Sequence, residues 1–164
     1  MQTTIVRLVE KAVARNLLDY VEATGRVAPQ IGAKTVACGE GVAAFMGIGS
    51  ALTTVKGLVS DLGDDEIEAA EALFRGHGAH GSTFELTPWI SRKTAQCLSG
   101  HGYRIVDYED VVVCRRPYSA PEPLHPVSLV DADGWPELQL QVNNEPVSAE
   151  WRAIVDACAT WWRS

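Results

Sequence analysis

The sequence has no excess of positive charge and no long apolar run. Fourteen Lys and Arg residues stand against twenty-one Asp and Glu residues, which gives a formal net charge of -7. Because an acidic protein repels nucleic-acid phosphates, we expect no nucleic-acid partner. No apolar run approaches the ~20 residues that span a bilayer, and the N-terminus lacks the basic start and apolar stretch of a signal peptide. We therefore expect a soluble chain with no membrane partner.

Cysteine is scarce, and its spacing is not that of a metal or disulfide framework. No Cys-x-x-Cys pair occurs among the four cysteines, which are Cys38, Cys97, Cys114 and Cys158. Three of them lie in runs typical of buried strands or helices, so small reduced core residues are the simplest interpretation. Unpaired thiols of this kind are typical of a reducing compartment, and we expect a cytoplasmic protein.

Familiar catalytic motifs are missing as well. There is no Gly-x-Ser-x-Gly elbow and no His-Glu-x-x-His sequence, so no catalytic residue is assigned. His77 and His80 lie three residues apart, but catalytic zinc needs a third ligand, and nothing in the spacing selects His101 or Glu85 for that role. Glycine-flanked histidines are more often exposed loop residues. We predict no metal site and expect no cofactor from these motifs.

Apolar periodicity predicts an α/β protein with a mixed, α+β-type sheet and helices on both of its faces. Gly25 is expected to end the first helix, Gly76 and Gly78 the second, and Ser91 to begin the third. The predicted elements are a helix at 4–24, a hairpin of strands at 34–38 and 42–46, a strand at 52–59, a helix at 64–75, a strand at 82–86, a short helix from 91 to about 100, and two strand runs within 103–116.

The C-terminal third differs from the rest of the chain. Four prolines fall within ten residues at 117–126, and proline removes backbone donors, so this segment is predicted to be a linker. The domain boundaries are therefore 1–116 for the main domain, 117–126 for the linker and 127–164 for a strand-helix appendage. Trp151 and Trp162 on the last predicted helix are candidates for an interface, for example in a homodimer, but the simplest interpretation is that this helix covers the domain's own sheet.

An acidic turn joins the predicted third strand to the second helix. Strand-to-helix turns usually bind anions at the helix N-terminus. Here the turn, Asp61 to Glu66, has carboxylates at positions 61, 64, 65 and 66 around Gly63. Such carboxylates stabilise the helix by complementing its dipole, and they repel a nucleotide phosphate. We expect an acid-capped helix start, with a cation site as the alternative.

Four segments resemble a known family in their order and spacing. They are GSALTTVKGL (49–58), IEAAEALFRGHGA (67–79), ELTP (85–88) and GHGYR (100–104). Together they resemble the N-terminal half of two-domain acetyltransferases of the GNAT superfamily. The resemblance implies a GNAT-like (acyl-CoA N-acyltransferase-like) fold with a C-terminal appendage. It also implies that an acyl cleft lies between the 52–59 and 82–86 strands, with Glu85, Trp89 and His80 near its mouth.

The same resemblance implies a degenerate cofactor site. An active domain of this superfamily binds the acetyl-CoA pyrophosphate on a Gln/Arg-x-x-Gly-x-Gly/Ala turn, and this chain has Asp61, Gly63, Asp64 and Asp65 there instead. The tyrosine that serves as general acid in such domains aligns with Leu98, which cannot donate a proton. In the two-domain enzymes the catalytic machinery lies in the second half, which would begin near Ser164.

The expected function is therefore an acetyltransferase-like domain that is not catalytic alone and acts as a structural or small-molecule-binding half of an N-acetyltransferase. Two alternatives stay open. One is an active GNAT N-acetyltransferase with an atypical acetyl-CoA site, or one completed by a partner chain such as the missing C-terminal acetyltransferase half. The other is an interaction module that self-associates.

Overall fold

A four-stranded mixed sheet with three α-helices forms the described part of the chain. The structure is a computed structural model, and it describes residues 2–108 together with residues 149, 152 and 153. Its elements are α1 (Gln2–Val27), a 3-10 turn (Pro29–Ile31), β1 (Lys34–Cys38), β2 (Gly41–Phe45), β3 (Thr54–Leu58), α2 (Asp64–Gly76), β4 (Thr83–Leu86) and α3 (Arg92–Gly100).

The strands lie in sequence order in the sheet, β1-β2-β3-β4. β1 and β2 form an antiparallel hairpin, β2 and β3 are also antiparallel, and β4 lies parallel to β3. A parallel neighbour requires a crossover connection, and α2 supplies it. The predicted hairpin, the third strand and the crossover helix are thus confirmed, and so is the mixed character of the sheet.

Both faces of the sheet are covered, as the side chains of β2 and of Met46, which follows it, show. Ala43 and Phe45 belong to a buried cluster with residues of α2 and α3. Val42, Ala44 and Met46 belong to a second cluster with Leu17 of α1. Successive side chains of a strand point to opposite faces, so a continuous apolar run is required where both faces are buried. The prediction of helices on both faces is confirmed.

Glycine signals located the end of α2 correctly and the end of α1 wrongly. At the end of α2, Gly78 has a φ of 75°, and the Ala79 N–H donates to the Phe74 carbonyl at 3.0 Å, as expected of a left-handed C-terminal cap. The prediction that Gly25 ends α1 is wrong, because the helix continues to Val27. A helix-interior glycine costs only about 1 kcal/mol, and tertiary contacts offset that cost.

The chain after α3 does not follow the prediction as far as it is described. Residues 103–108 form no strand, and Ile105 and Val106 are each 74% exposed. A short apolar run forms a strand only where a partner strand is available. The second predicted strand run, the 117–126 linker and most of the 127–164 appendage lie outside the described residues, of which 149, 152 and 153 are helical.

Within the described residues, no helix has both the length and the apolar character needed to cross a membrane.

Candidate functional site

The acidic turn before α2 is fixed to the body of the protein at Leu62. The Leu62 side chain is fully buried in the cluster between the sheet, α2 and α3. Its backbone N–H donates to the Thr94 hydroxyl of α3 at 2.9 Å, and Thr94 is itself fully buried. The Leu62 backbone donor is therefore already satisfied within the protein.

The next backbone donor of the turn, at Gly63, is satisfied by a carboxylate. The Gly63 N–H donates to Glu66 Oε2 at 2.8 Å, which is the reciprocal half of a capping box. Asp64, Asp65 and Glu66 fill the first turn of α2, where they complement the helix dipole. The expected acid-capped helix start is confirmed, and the turn offers an incoming anion neither of these two amides.

α3 brings two further polar side chains to the same turn. Cys97 and His101 lie four residues apart, so both project from one side of the α3 end. The Cys97 thiol donates to Asp64 Oδ1 at 2.9 Å, and His101 Nε2 lies 3.2 Å from the same oxygen. Among the described residues, these three form a group whose potential metal-ligand atoms all lie within 4.8 Å of one another.

The other ring nitrogen of His101 meets a second carboxylate. His101 Nδ1 lies 3.3 Å from Glu71 Oε1, and Arg75 donates to Glu71 Oε2 at 2.9 Å. Burial acts to raise the pKa of Glu71, but the hydrogen bond from Arg75 and the charge of His101 outweigh it and lower that pKa. Glu71 is thus held as a carboxylate that fixes the orientation of the His101 ring.

The thiol of Cys97 is not activated as a nucleophile in this arrangement. Its pKa is raised, chiefly by its hydrogen bond to Asp64 and also by partial burial. The pKa of Asp64 is lowered, first by the Cys97 hydrogen bond and then by that of His101. Because the thiolate is the reactive form of cysteine, a raised pKa at Cys97 argues against a cysteine-histidine hydrolase.

A second polar cluster lies between α1 and the sheet. Lys56 of β3 and Glu85 of β4 form an ion pair with 2.6 Å between Nζ and Oε1. Burial raises the pKa of Glu10 of α1, and the charge of Glu85 raises it further, while the Gly57 N–H and Lys56 act in the opposite direction. Two carboxylates therefore share one lysine on the α1 side of the parallel strand pair.

Glu10→Gln is expected to stabilise the protein at neutral pH, because burial and Glu85 disfavour a charged carboxylate at this position. The gain in the free energy of unfolding should be less than about 1 kcal/mol, since solvent screens this half-exposed group. The folded state raises the Glu10 pKa above its unfolded value. Stability linked to Glu10 is therefore fully present below the unfolded pKa and is lost as the pH rises through the folded pKa. The advantage of the neutral amide should shrink toward pH ~4, where the parent carboxyl becomes protonated. Urea unfolding of both proteins at the two pH values measures this.

The control for that experiment is Glu68→Gln, because Glu68 is exposed on α2. It should change the free energy of unfolding by less than about 0.5 kcal/mol at either pH. A Glu10→Gln protein that is less stable than the parent at neutral pH would contradict the burial argument.

The residues predicted near the cleft do not meet at one point. Glu85 pairs with Lys56 on β3, and Trp89, 63% exposed, follows the carboxyl end of β4. His80 is exposed and precedes the amino end of β4, so the strand separates it from Trp89. Strand pairing continues to Leu58 and Leu86 with a register shift after Val55. An opening between the strands would therefore start beyond these residues.

The remaining candidates divide between the described and undescribed parts of the chain. The centroids of the His77 and Phe45 rings lie 4.8 Å apart, and His77 Nδ1 lies 2.8 Å from the Leu73 carbonyl oxygen. These contacts give His77 a packing role. Cys38 is buried as expected, whereas Cys97 is only half-buried. The interface candidates Trp151 and Trp162 lie outside the described residues. The contact of Asp64 with Cys97 and His101 was not predicted, and the four-residue spacing of the cysteine and the histidine was the available signal for it.

Comparison of this chain with protein families, with characterised proteins and with solved structures yields no match.

Proposed function

We propose that this chain is an acetyltransferase-like domain of the GNAT superfamily that does not transfer acetyl groups alone. It would serve as a structural or small-ligand-binding half of an N-acetyltransferase. The observation that carries the proposal is the self-satisfied acidic turn before α2. The turn lies between a strand and a crossover helix, where the resemblance places the cofactor site. Its carboxylates would repel the pyrophosphate of acetyl-CoA.

The order of the strands supports the family assignment. Three antiparallel strands, β1 to β3, are followed by a crossover helix and a parallel fourth strand. This is the arrangement that the resemblance implies for the second to fifth strands of the superfamily. The register shift between β3 and β4 lies toward their carboxyl ends, where ligands of open α/β sheets usually bind.

The electrostatics of the turn support the loss of the cofactor. A pyrophosphate held at the α2 N-terminus would face the Asp64, Asp65 and Glu66 carboxylates. The Leu62 and Gly63 amides already donate to Thr94 and Glu66. A bound phosphate would therefore meet like charges and would lose two of the backbone donors near the helix N-terminus, where phosphates normally bind.

The interior of α3 supports the loss of catalysis. Leu98 stands where the resemblance implies a general-acid tyrosine, and it is 4% exposed within the main core cluster. A buried leucine contributes packing and no proton. The cofactor turn and the acid position thus argue in the same direction.

Isothermal titration calorimetry of the full chain with acetyl-CoA tests this proposal. We expect no saturable heat at micromolar concentrations of ligand. A Kd of about 1 μM or tighter, which corresponds to roughly -8 kcal/mol, would contradict it and would favour an active enzyme with an atypical cofactor site.

A variant that carries Asp61→Asn and Asp65→Asn is the matched control. Both side chains are exposed at the turn, and neither belongs to the Asp64, Cys97 and His101 group. If the occupied amides also exclude the phosphate, this variant should still fail to bind acetyl-CoA at micromolar strength. Binding that appears only in the variant would assign the exclusion to charge alone.

A further inference from the structure

Three side chains from two helices converge at the acidic turn with the ligand chemistry of a transition metal site. Asp64 supplies a carboxylate oxygen, Cys97 a sulfur and His101 an imidazole nitrogen, and all three atoms lie within 4.8 Å of one another. Thiolate, imidazole and carboxylate are the donors that Zn²⁺ takes in proteins. Sulfur disfavours the hard cations Mg²⁺ and Ca²⁺, which prefer oxygen ligands.

The two distances from Asp64 to the other ligand atoms are a few tenths of an ångström shorter than those of a tetrahedral zinc shell. Zinc bonds of about 2.0–2.3 Å at tetrahedral angles put neighbouring ligand atoms roughly 3.4–3.6 Å apart. Asp64 Oδ1 now lies 2.9 Å from Cys97 Sγ and 3.2 Å from His101 Nε2. An outward movement of a few tenths of an ångström by Asp64 would open the group, and the Asp64 side chain, 74% exposed, is free to make it.

An independent feature orients the histidine for a metal. Histidines that ligate metals usually give their second ring nitrogen to a carboxylate, which fixes the ring and increases its basicity. His101 Nδ1 has such a partner in Glu71 at 3.3 Å, and Arg75 fixes Glu71 in turn.

The local charges are compatible with a divalent cation. On binding, the Cys97 thiol would lose its proton to solvent, so that one thiolate and one carboxylate balance the two positive charges. Glu66 adds further negative potential at Cys97, and Lys93 opposes it at both Cys97 and Asp64. Because Asp64 is exposed, water would be available as a fourth ligand.

We propose that Asp64, Cys97 and His101 form a binding site for a divalent cation of the zinc class, with Glu71 positioning His101. The cation would tie the start of α2 to the end of α3. This inference does not depend on membership of the acetyltransferase superfamily. The proposed ligand of the acidic turn is a cation, whereas the pyrophosphate that the turn would repel is an anion.

Titration of the full chain with Co²⁺, followed by competition with Zn²⁺, tests the site. Cobalt bound by a thiolate gives a near-ultraviolet charge-transfer band that a structural hydrogen bond cannot produce. We expect this band to reach its full intensity when one Co²⁺ is bound per chain and to disappear when Zn²⁺ is added. Binding at neutral pH should also release a proton. Cys97→Ser should abolish the band, and Glu71→Gln should weaken the affinity about 10- to 100-fold.

Two controls keep the result specific. His80→Gln changes an exposed histidine outside the group, and it should leave the band and the affinity unchanged. A Cys114→Ser, Cys158→Ser protein retains Cys97 and should also keep the band. The proposal is overturned if the parent shows no band, or if Cys97→Ser keeps it. Circular dichroism checks that Cys97→Ser is folded. The variants Glu71→Gln and His101→Asn test the metal affinity while the thiol stays in place.

Discussion

Phe74→Ala is expected to lower the free energy of unfolding by about 3–5 kcal/mol, the largest effect that we predict for a single substitution. Phe74 is 2% exposed. It lies in the main core cluster, where α2 packs against Phe45 and Val55 of the sheet and Leu98 of α3. The cost combines the lost burial of the ring with the cavity left among neighbours that close in only partially. Urea unfolding followed by far-ultraviolet circular dichroism measures it.

Glu68→Ala is the matched control, since it lies on the same helix with an exposed side chain. It should alter the free energy of unfolding by less than about 0.5 kcal/mol. A loss of less than about 1.5 kcal/mol in Phe74→Ala would contradict the packing described for α2. That packing matters for the site because α2 also carries Asp64 and Glu71.

The sheet and its covering helices were predictable because their signals are local. The run from Val42 to Met46 is apolar on both faces of the strand, and a strand buried on both sides requires this. The spacing of Ile67, Ala70 and Phe74 indicated one apolar side of α2, and all three are buried. In each case the hydrophobic period alone determines which surface is covered.

The end of α1 and the segment after α3 were not predictable in the same way. Gly25 resembles a helix stop, yet the helix passes through it, because its neighbours Ala23, Thr24 and Ala28 are buried against the rest of the protein. Residues 103–108 resemble a strand, yet they pair with no strand among the described residues. Both outcomes depend on contacts made elsewhere in the fold, which a sequence window does not contain.

The candidate site was predictable in part. The acidic composition of the turn and the capping role of its carboxylates follow from the sequence near the start of α2. The meeting of Asp64 with His101 does not, because 37 residues separate them and the contact depends on how α3 lies against α2. The pairing of Lys56 with Glu85 likewise depends on the register of two parallel strands.

Gly57→Ala is expected to cost about 2–5 kcal/mol, from two physical causes that add. Gly57 has a φ of 80°, and a side chain in that region costs roughly 1–2 kcal/mol. A Cβ there would also lie 2.6 Å from the Ala14 Cβ and 3.0 Å from the Glu10 carbonyl oxygen, and overpacking of this kind costs about 1–3 kcal/mol. Thermal and urea unfolding of the variant measure the sum.

A second glycine and a double-mutant cycle separate these two causes. Gly25→Ala, at an exposed position in α1 with no atom within 4 Å of the new Cβ, should instead stabilise the protein by about 0.5–1 kcal/mol. In an Ala14→Gly background the closest clash is removed, so the cost of Gly57→Ala should fall toward its conformational part. An unchanged cost in that background would mean that α1 does not cross β3 at Gly57. The Glu10, Lys56 and Glu85 cluster depends on that crossing, since it brings α1 against the parallel strand pair.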